Sequence, residues 1–238
     1  MKLTAISSGV KQAAIIAVGI VALGLCVKSG LNSLAGKDRR VVVKGLAEKE
    51  VEADKVTWPI VSKETGNDLP ELYKTINATT STIKQFLIAN GIKPAEISVN
   101  APVVIDLNAE RYSDNNHNYR YNVTSIITVT SANVKLVRSI LARQGELLQK
   151  GVAIVDGGYE NPVRYEFVAF KKMKPTMMQE AIKNAESTAD QFAKNCNSRL
   201  DKIMNADQGQ FSIEDRDTNT PYIKKVRVVT TVTYSLKD

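Results

Sequence analysis

Histidine and cysteine are scarce in this chain of 238 residues, which holds one histidine, His117, and two cysteines, Cys26 and Cys196. Protein zinc sites are built largely from cysteine and histidine ligands, so the sequence excludes a His/Cys metal centre. A Ser–His triad would have to use His117, which lies in a polar stretch, and no Gly-x-Ser-x-Gly elbow occurs. Because Cys26 lies in an apolar run and Cys196 in the distant body, we expect no disulfide framework.

Phosphate-binding motifs are also absent, since neither a Walker pattern nor Gly-x-Gly-x-x-Gly is found. The formal net charge is +7, but residues 1–40 hold six Lys or Arg and one Asp, so the remaining body carries only +2. Nucleic-acid binding needs a concentrated basic face. We therefore expect no nucleic-acid partner and no cofactor, and no motif identifies a small-molecule ligand.

The sequence does contain a long apolar run near the N-terminus. The uncharged stretch from Gln12 to Val27 has 16 residues, and as a helix it would be roughly 24 Å long, slightly short of the roughly 30 Å hydrocarbon core of a bilayer. Lys11 and Lys28 flank it and could snorkel to close the gap. We expect an uncleaved membrane anchor formed by Ala13, Ile15, Ile16, Val18, Ile20, Val21, Leu23, Leu25 and Val27.

Two alternatives to the anchor stay open, together with its orientation. A secretory signal peptide would use Lys2 and Lys11 as its basic start and be cleaved near residues 33–35. A buried core helix is disfavoured, because the run is apolar all round and flanked by lysines. The positive-inside rule favours a cytoplasmic body, whereas a signal-like start favours export. We expect residues 1–40 to be an anchor or signal segment with a linker, and residues 41–238 to form the body.

Strand and helix patterns alternate along this body. Strand patterns occur at 41–45, 56–60, 97–107, 121–129, 152–155, 163–169, 200–203, 211–213 and 226–234. Helical stripes begin after Asp68, Ser131 and Pro175. The order predicts an α+β fold, with antiparallel sheet or sheets built from strand pairs and three main helices packed on one face.

Several details of this fold can be predicted from single residues. Pro59 predicts an edge or bulged position for its strand, because proline cannot donate to a ladder. Residues 97–130 predict a long hairpin, and residues 152–169 predict a second hairpin around Asp156–Gly158. The third helix has an apolar stripe of Met178, Ile182, Ala185, Ala189, Phe192, Ala193 and Cys196. This stripe makes Cys196 a small core residue rather than a redox centre.

A group of charged residues lies between the closing strands, in the loop Glu214 to Tyr222. Glu214, Asp215 and Asp217 are the candidate carboxylate site, for a metal or for catalysis. Their spacing lacks the glycine and terminal glutamate of a calcium loop. We therefore favour an exposed loop in which Arg216 pairs locally, and we interpret Lys224, Lys225 and Arg227 as a solvated edge.

Two stretches of the body resemble a known family. The opening Val41–Gly45, followed by Glu48 to Val51 and Ala53–Asp54, is similar to the start of the SIMPL domain (domain of unknown function 541). The closing segment, from Gln208–Phe211 through Val226 to Tyr234, is similar to its final strands. The resemblance covers roughly residues 41–236.

The resemblance implies a bacterial envelope protein with an α+β fold, anchored in the inner membrane with its body in the periplasm, or secreted there after cleavage. It also implies self-association and, for some members, a link to envelope or oxidative stress. It offers no catalytic residues. We therefore expect a non-catalytic, self-associating scaffold or binding module; the alternative is an enzyme with a carboxylate site near Glu214–Asp217.

Overall fold

The computed structural model describes residues 8–35, 39–109 and 118–237, and the predicted α+β class with antiparallel sheets is confirmed. The helices are α1 (Ser8–Ala35), α2 (Leu69–Ala89), α3 (Val134–Leu141), α4 (Gly145–Gln149) and α5 (Phe170–Asn195). The strands are β1 (Arg40–Glu52), β2 (Lys55–Gly66), β3 (Ile97–Val99), β4 (Val103–Asp106), β5 (Tyr121–Ser131), β6 (Ile154–Val155), β7 (Arg164–Glu166), β8 (Arg199–Asp207), β9 (Phe211–Asp215) and β10 (Ile223–Lys237).

The chain divides into two compact units. Unit A comprises residues 1–48, 175–211 and 227–238, and unit B comprises residues 49–174 and 212–226. One sheet has the strand order β1-β10-β8, with β9 also paired to β10; the other has the order β3-β5-β2-β6, with β4 paired to β5 and β7 to β2.

The predicted N-terminal helix is present as α1, which is 28 residues long. Its residues 15–30 are all exposed. In the described part of the chain, no helix is both long enough and apolar enough to cross a membrane. The helix is therefore found, whereas the predicted membrane span is not.

The core of unit B lies between the six-stranded sheet and helices α2, α3 and α4. The first of these helices starts as predicted, because Asp68 accepts a hydrogen bond from the Glu71 amide at 3.1 Å. Trp58 is 3% exposed and belongs to this core. The side chains that fill this core include Val56, Ile60, Ile83, Phe86, Leu87, Ile127, Val129, Val137 and Ile140.

Strand β2 is central rather than at an edge, which corrects the prediction from Pro59. Residues 56–66 pair with β5 on one side, while on the other side β7 takes residues 55–57 and β6 takes residues 61–62. Pro59 lies opposite the gap between β7 and β6, where a missing N–H interrupts no ladder. Proline thus marks a local break in pairing within a central strand.

The first predicted hairpin is present and the second is not. Both β3 and β4 pair with β5, although residues 100–102 interrupt them, and residues 110–117 with His117 lie outside the described residues. The predicted partners β6 and β7 do not pair with each other; both pair with β2. Between them, Asn161 donates to the Gly157 carbonyl at 3.1 Å and Pro162 follows, so the chain turns along β2 instead of folding back.

The described body contains four α-helices, α2 to α5, where three were predicted. The second one is divided into α3 and α4 by the turn at residues 142–144, next to Gly145, a residue with low helix propensity. Its cap is Asn133, not Ser131, since Asn133 accepts from the Leu136 amide at 3.1 Å. The third helix begins at Phe170 and contains Pro175 instead of starting there.

Helix α5 packs on the sheet of unit A through small side chains. Its buried residues are Met177, Ala181, Ala185, Ala189 and Ala193, whereas the predicted Ile182 and Phe192 are 37% and 55% exposed. Contact is so close at Gly45 that a Cβ there would collide with the Ala181 carbonyl oxygen. Large side chains are therefore excluded from the stripe where it meets Gly45, at Ala181 and Ala185. Cys196 follows the helix in an exposed turn, so its prediction as a core residue is wrong.

Candidate functional site

The predicted carboxylates of the 214–222 region lie at the end of β9 and in the turn that follows it. Glu214 and Asp215 belong to β9, and Glu214 is exposed. Asp215 forms a salt bridge with Lys224 of β10, whose side chain is only 9% exposed. Lys224 is thus a buried cation with a carboxylate partner, which corrects its interpretation as part of a solvated edge.

Asp217 organises the turn itself. It accepts hydrogen bonds from the amides of Asn219 and Thr220 at 2.9 and 2.8 Å, and from the Thr220 hydroxyl. Arg216 donates to it at 3.0 Å, which confirms the predicted local pairing. The Thr220 hydrogen bond, followed by the Arg216 hydrogen bond, lowers the pKa of Asp217 from 3.8 to about 2.

Asp215 and Asp217 are therefore each engaged by separate partners within the chain. Arg216 also reaches Glu50 at 3.5 Å, which ties the turn to β1 within unit B. Among the described residues, no group of three His, Cys, Asp or Glu side chains could hold a metal ion. The structure does not bring Glu214, Asp215 and Asp217 together around a common point.

Tyr222, at the end of the same turn, is held from three sides. Its carbonyl accepts from the Ala53 amide at 2.8 Å, and the Arg138 guanidinium lies 3.2 Å from its ring centroid. Tyr165 meets it edge-on at 6.1 Å between ring centroids. Burial raises the pKa of Tyr165 above its ordinary value, against the opposing effect of Arg138. This cluster fixes the turn to the core of unit B.

Asp54 is a second anchoring carboxylate, and sequence reasoning did not give it a role. Its two carboxylate oxygens accept from the amides of Val168 and Ala169 at 2.6 and 2.7 Å. These amides immediately precede α5. The Ala53–Asp54 step that carries part of the family resemblance thus connects the β1–β2 turn to the start of α5.

A cleft of about 460 Å³ in unit B lies over the gap in pairing beside Pro59. Its lining includes Trp58, Leu148, Ile154, Asp156 and Asn161, and Asp156 is the one titratable residue in it. Asp156 already accepts from the Gly158 amide at 3.1 Å. A single engaged carboxylate does not provide the paired groups used in general acid–base catalysis.

An apolar groove of about 400 Å³ lies between the start of α2 and strand β4. Within it, Tyr73 is 60% exposed and Val104 is 49% exposed. Among the described strands, β4 pairs only with β5, so its other edge is open. We call this feature the α2–β4 groove; its lining residues are Leu69, Pro70, Tyr73, Pro102, Val104 and Val123.

The fold and these surfaces define a class: a two-sheet α+β protein in which Asp215 and Asp217 are engaged within the chain and which carries an exposed apolar groove. The family model described as SIMPL, Protein of unknown function (DUF541), matches residues 41–234, and the chain belongs to this family. No curated protein matches the chain.

Proposed function

We propose that this protein is a non-catalytic, self-associating scaffold or binding module of the cell envelope. The observation that supports the proposal best is the α2–β4 groove. Exposed apolar patches usually mark interaction surfaces, and an open strand edge next to one offers unpaired backbone groups to a partner. Val103 and Ile105, which are 57% and 37% exposed, lie on the opposite face of β4 from Val104, so both faces of this strand expose apolar side chains.

Sedimentation velocity of the full chain in detergent tests this association. We expect species larger than one chain, and we expect Tyr73→Lys or Val104→Lys to shift them toward smaller species, because a charge in the groove must be desolvated on contact. Ile88→Lys is the matched control, since Ile88 is 44% exposed on the same helix but outside the groove. A strictly monomeric wild-type chain would contradict the proposal.

The envelope location is the second part of the proposal, and helix α1 supports it. Eight large apolar side chains of α1 are between 51% and 72% exposed: Ile15, Ile16, Val18, Ile20, Val21, Leu23, Leu25 and Val27. Apolar surface of this extent is unfavourable in water. We infer that the segment delivers the body to the envelope, either as an anchor or as a cleaved signal. N-terminal sequencing of the mature protein separates these two cases.

The link to envelope or oxidative stress belongs to the same proposal. It is tested by the sensitivity of cells lacking the protein to membrane-active agents and to oxidants. The enzyme alternative requires Asp215 and Asp217 to act in chemistry while they are held by Lys224 and by the turn. Among the described residues, no group of three His, Cys, Asp or Glu side chains could hold a metal ion that would support such chemistry.

A further inference from the structure

Strand β1 is an open edge of the sheet that it shares with β10 and β8. It is 13 residues long, and no other described strand pairs with it on the side away from β10. Long, open edge strands are a liability that proteins usually shorten, cover or pair. On the face away from α5, β1 exposes Val42 by 59% and Leu46 by 41%.

The backbone groups that face the open edge can be identified. The Arg39 carbonyl accepts from the Leu236 amide of β10 at 3.0 Å, so it faces β10. From residue 41 to residue 48, more buried and exposed side chains alternate without interruption. The strand therefore has no bulge in this stretch. Because backbone groups alternate in direction along a strand, the N–H and C=O of Leu46 point to the open edge.

An independent contact agrees with this assignment. The Leu46 carbonyl accepts from the side-chain amide of Asn184, on α5, at 2.7 Å. A side chain can donate to this carbonyl only where no neighbouring strand already does so. Asn184 therefore satisfies one carbonyl in the middle of an otherwise open strand.

The sequence of β1 around Leu46 is complementary to itself. If a second copy pairs antiparallel about a two-fold axis at Leu46, Leu46 faces Leu46, and Lys44 faces Glu48 in both directions. These three residues are exposed and lie on the same face of the strand. Gly45 faces Ala47 on the other face, which adds no bulk. Moving the axis to Lys44 or to Glu48 would instead place like charges opposite each other, which is destabilising.

We propose that the open edge of β1 docks a second copy of this chain, antiparallel and in register about Leu46, so that the sheet continues across a two-fold interface. The interface is isologous, because the same strand is used by both copies. The Leu46 N–H of one copy replaces the Asn184 side chain on the Leu46 carbonyl of the other, so no carbonyl is left unsatisfied. This inference rests on the proposed self-association and adds to the α2–β4 groove a second contact surface, for which it specifies the partner and the register.

Disulfide cross-linking tests the register directly. It uses the full chain with both native cysteines replaced, by Cys26→Ser and Cys196→Ser. Directly opposed, hydrogen-bonded residues have Cα atoms about 5.5 Å apart, within the range that a disulfide spans. Leu46→Cys should therefore give a covalent dimer under mild oxidation. Val42→Cys, on the same exposed face, is the matched control, because its two copies would lie about 26 Å apart in this register. It should give none.

A charge swap tests the energetics by sedimentation velocity. Lys44→Glu or Glu48→Lys alone creates two like-charge pairs across the axis and should weaken dimerisation about tenfold or more. The double variant restores opposite charges and should return close to wild type. Lys63→Glu, an exposed reversal on β2, is the control. Thermal unfolding of each variant shows whether the body still folds.

The outcomes separate this inference from the proposed function. A monomeric wild type overturns both. A self-associating wild type in which Leu46→Cys does not cross-link, or in which the double swap does not recover, overturns the β1 interface and leaves the proposed function standing. Selective cross-linking at position 46 together with recovery in the double swap supports both.

Discussion

Lys224 shows how a single exposed carboxylate supports a buried cation. Its side chain is 9% exposed, and Asp215, at 48%, is its salt-bridge partner. Removing one partner of such a pair leaves the other without compensation for its lost hydration. We expect Asp215→Ala to lower the free energy of unfolding by about 1–3 kcal/mol in urea denaturation.

Glu214 provides the control for this prediction, because it precedes Asp215 and is exposed. Glu214→Ala should change stability by less than about 0.5 kcal/mol. Equal effects of the two substitutions would contradict a structural role for the Asp215–Lys224 pair. The comparison also bears on the enzyme alternative, since a phenotype of Asp215→Ala counts as catalytic only in protein that remains folded.

Asp217 gives a prediction in terms of pH. Its pKa is lowered to about 2 by the Thr220 and Arg216 hydrogen bonds. Because the pKa is lower in the folded state, the ionised carboxylate stabilises the fold at pH values above the unfolded-state pKa of about 3.9. This contribution to the free energy of unfolding is lost as the pH falls toward 2. Carbon-13 NMR of the side chain should show a midpoint near 2, as the lowered pKa requires.

Thr220→Val should raise the pKa of Asp217 toward its ordinary value, because it removes the hydroxyl whose hydrogen bond is the largest cause of the shift. Thr218→Val, in the same exposed turn, should leave it unchanged, because Thr218 makes none of the hydrogen bonds that lower this pKa. Equal titration of Asp217 in both variants would show that the Thr220 hydroxyl does not set the pKa.

At the scale of elements, Asp54 connects the β1–β2 turn to the start of α5. Asp54→Ala leaves the amides of Val168 and Ala169 without their acceptor. We expect a loss of about 1–3 kcal/mol in stability, together with faster hydrogen exchange at these two amides. Glu52→Ala is the control, because its salt bridge with Lys135 joins side chains that are 66% and 78% exposed. Such exposed pairs contribute little.

Local patterns predicted individual elements well and their partners less well. Asp68 identified the start of α2, because a cap depends only on neighbouring residues. The pairing of β6 and β7 with β2, rather than with each other, depends on distant residues that a turn motif at 156–158 does not specify. The predicted apolar stripe of α5 is wrong at Ile182 and Phe192. The close approach of the helix to Gly45 admits alanine on the buried face and excludes larger side chains there.

In the candidate surfaces, too, contacts between neighbouring residues were predictable and contacts between distant residues were not. Arg216 and Asp217 are adjacent in sequence, so their pairing was predictable, whereas the burial of Lys224 depends on the packing of unit B. The α2–β4 groove brings residues 69–73 together with residues 102–104 and 123. No local pattern could indicate that combination. The exposure of Cys196 depends on α5 ending at Asn195, one residue before it.

At the scale of the whole molecule, the first 40 residues contain both most of the excess positive charge and a long exposed apolar run. They carry six Lys or Arg and one Asp, whereas the rest of the chain has a net charge of only +2. The apolar residues 15–27 of α1 are exposed between these flanks. The proposed function assigns delivery to the envelope to this segment and folding to the body, so the two roles can be tested separately.

A charge placed in the apolar run tests delivery while leaving the body intact. Val21→Arg introduces a cation at the middle of the run, where burial in a membrane would cost about 2.5–3.5 kcal/mol. We expect it to reduce the export of a reporter fused after Asp238, while the circular dichroism spectrum and unfolding of the body stay unchanged. Ser29→Arg, beyond Lys28 and outside the run, is the matched control and should export normally. If wild type and both variants retained the reporter in the cytoplasm alike, α1 would not be a targeting segment, and the envelope location would have to be abandoned.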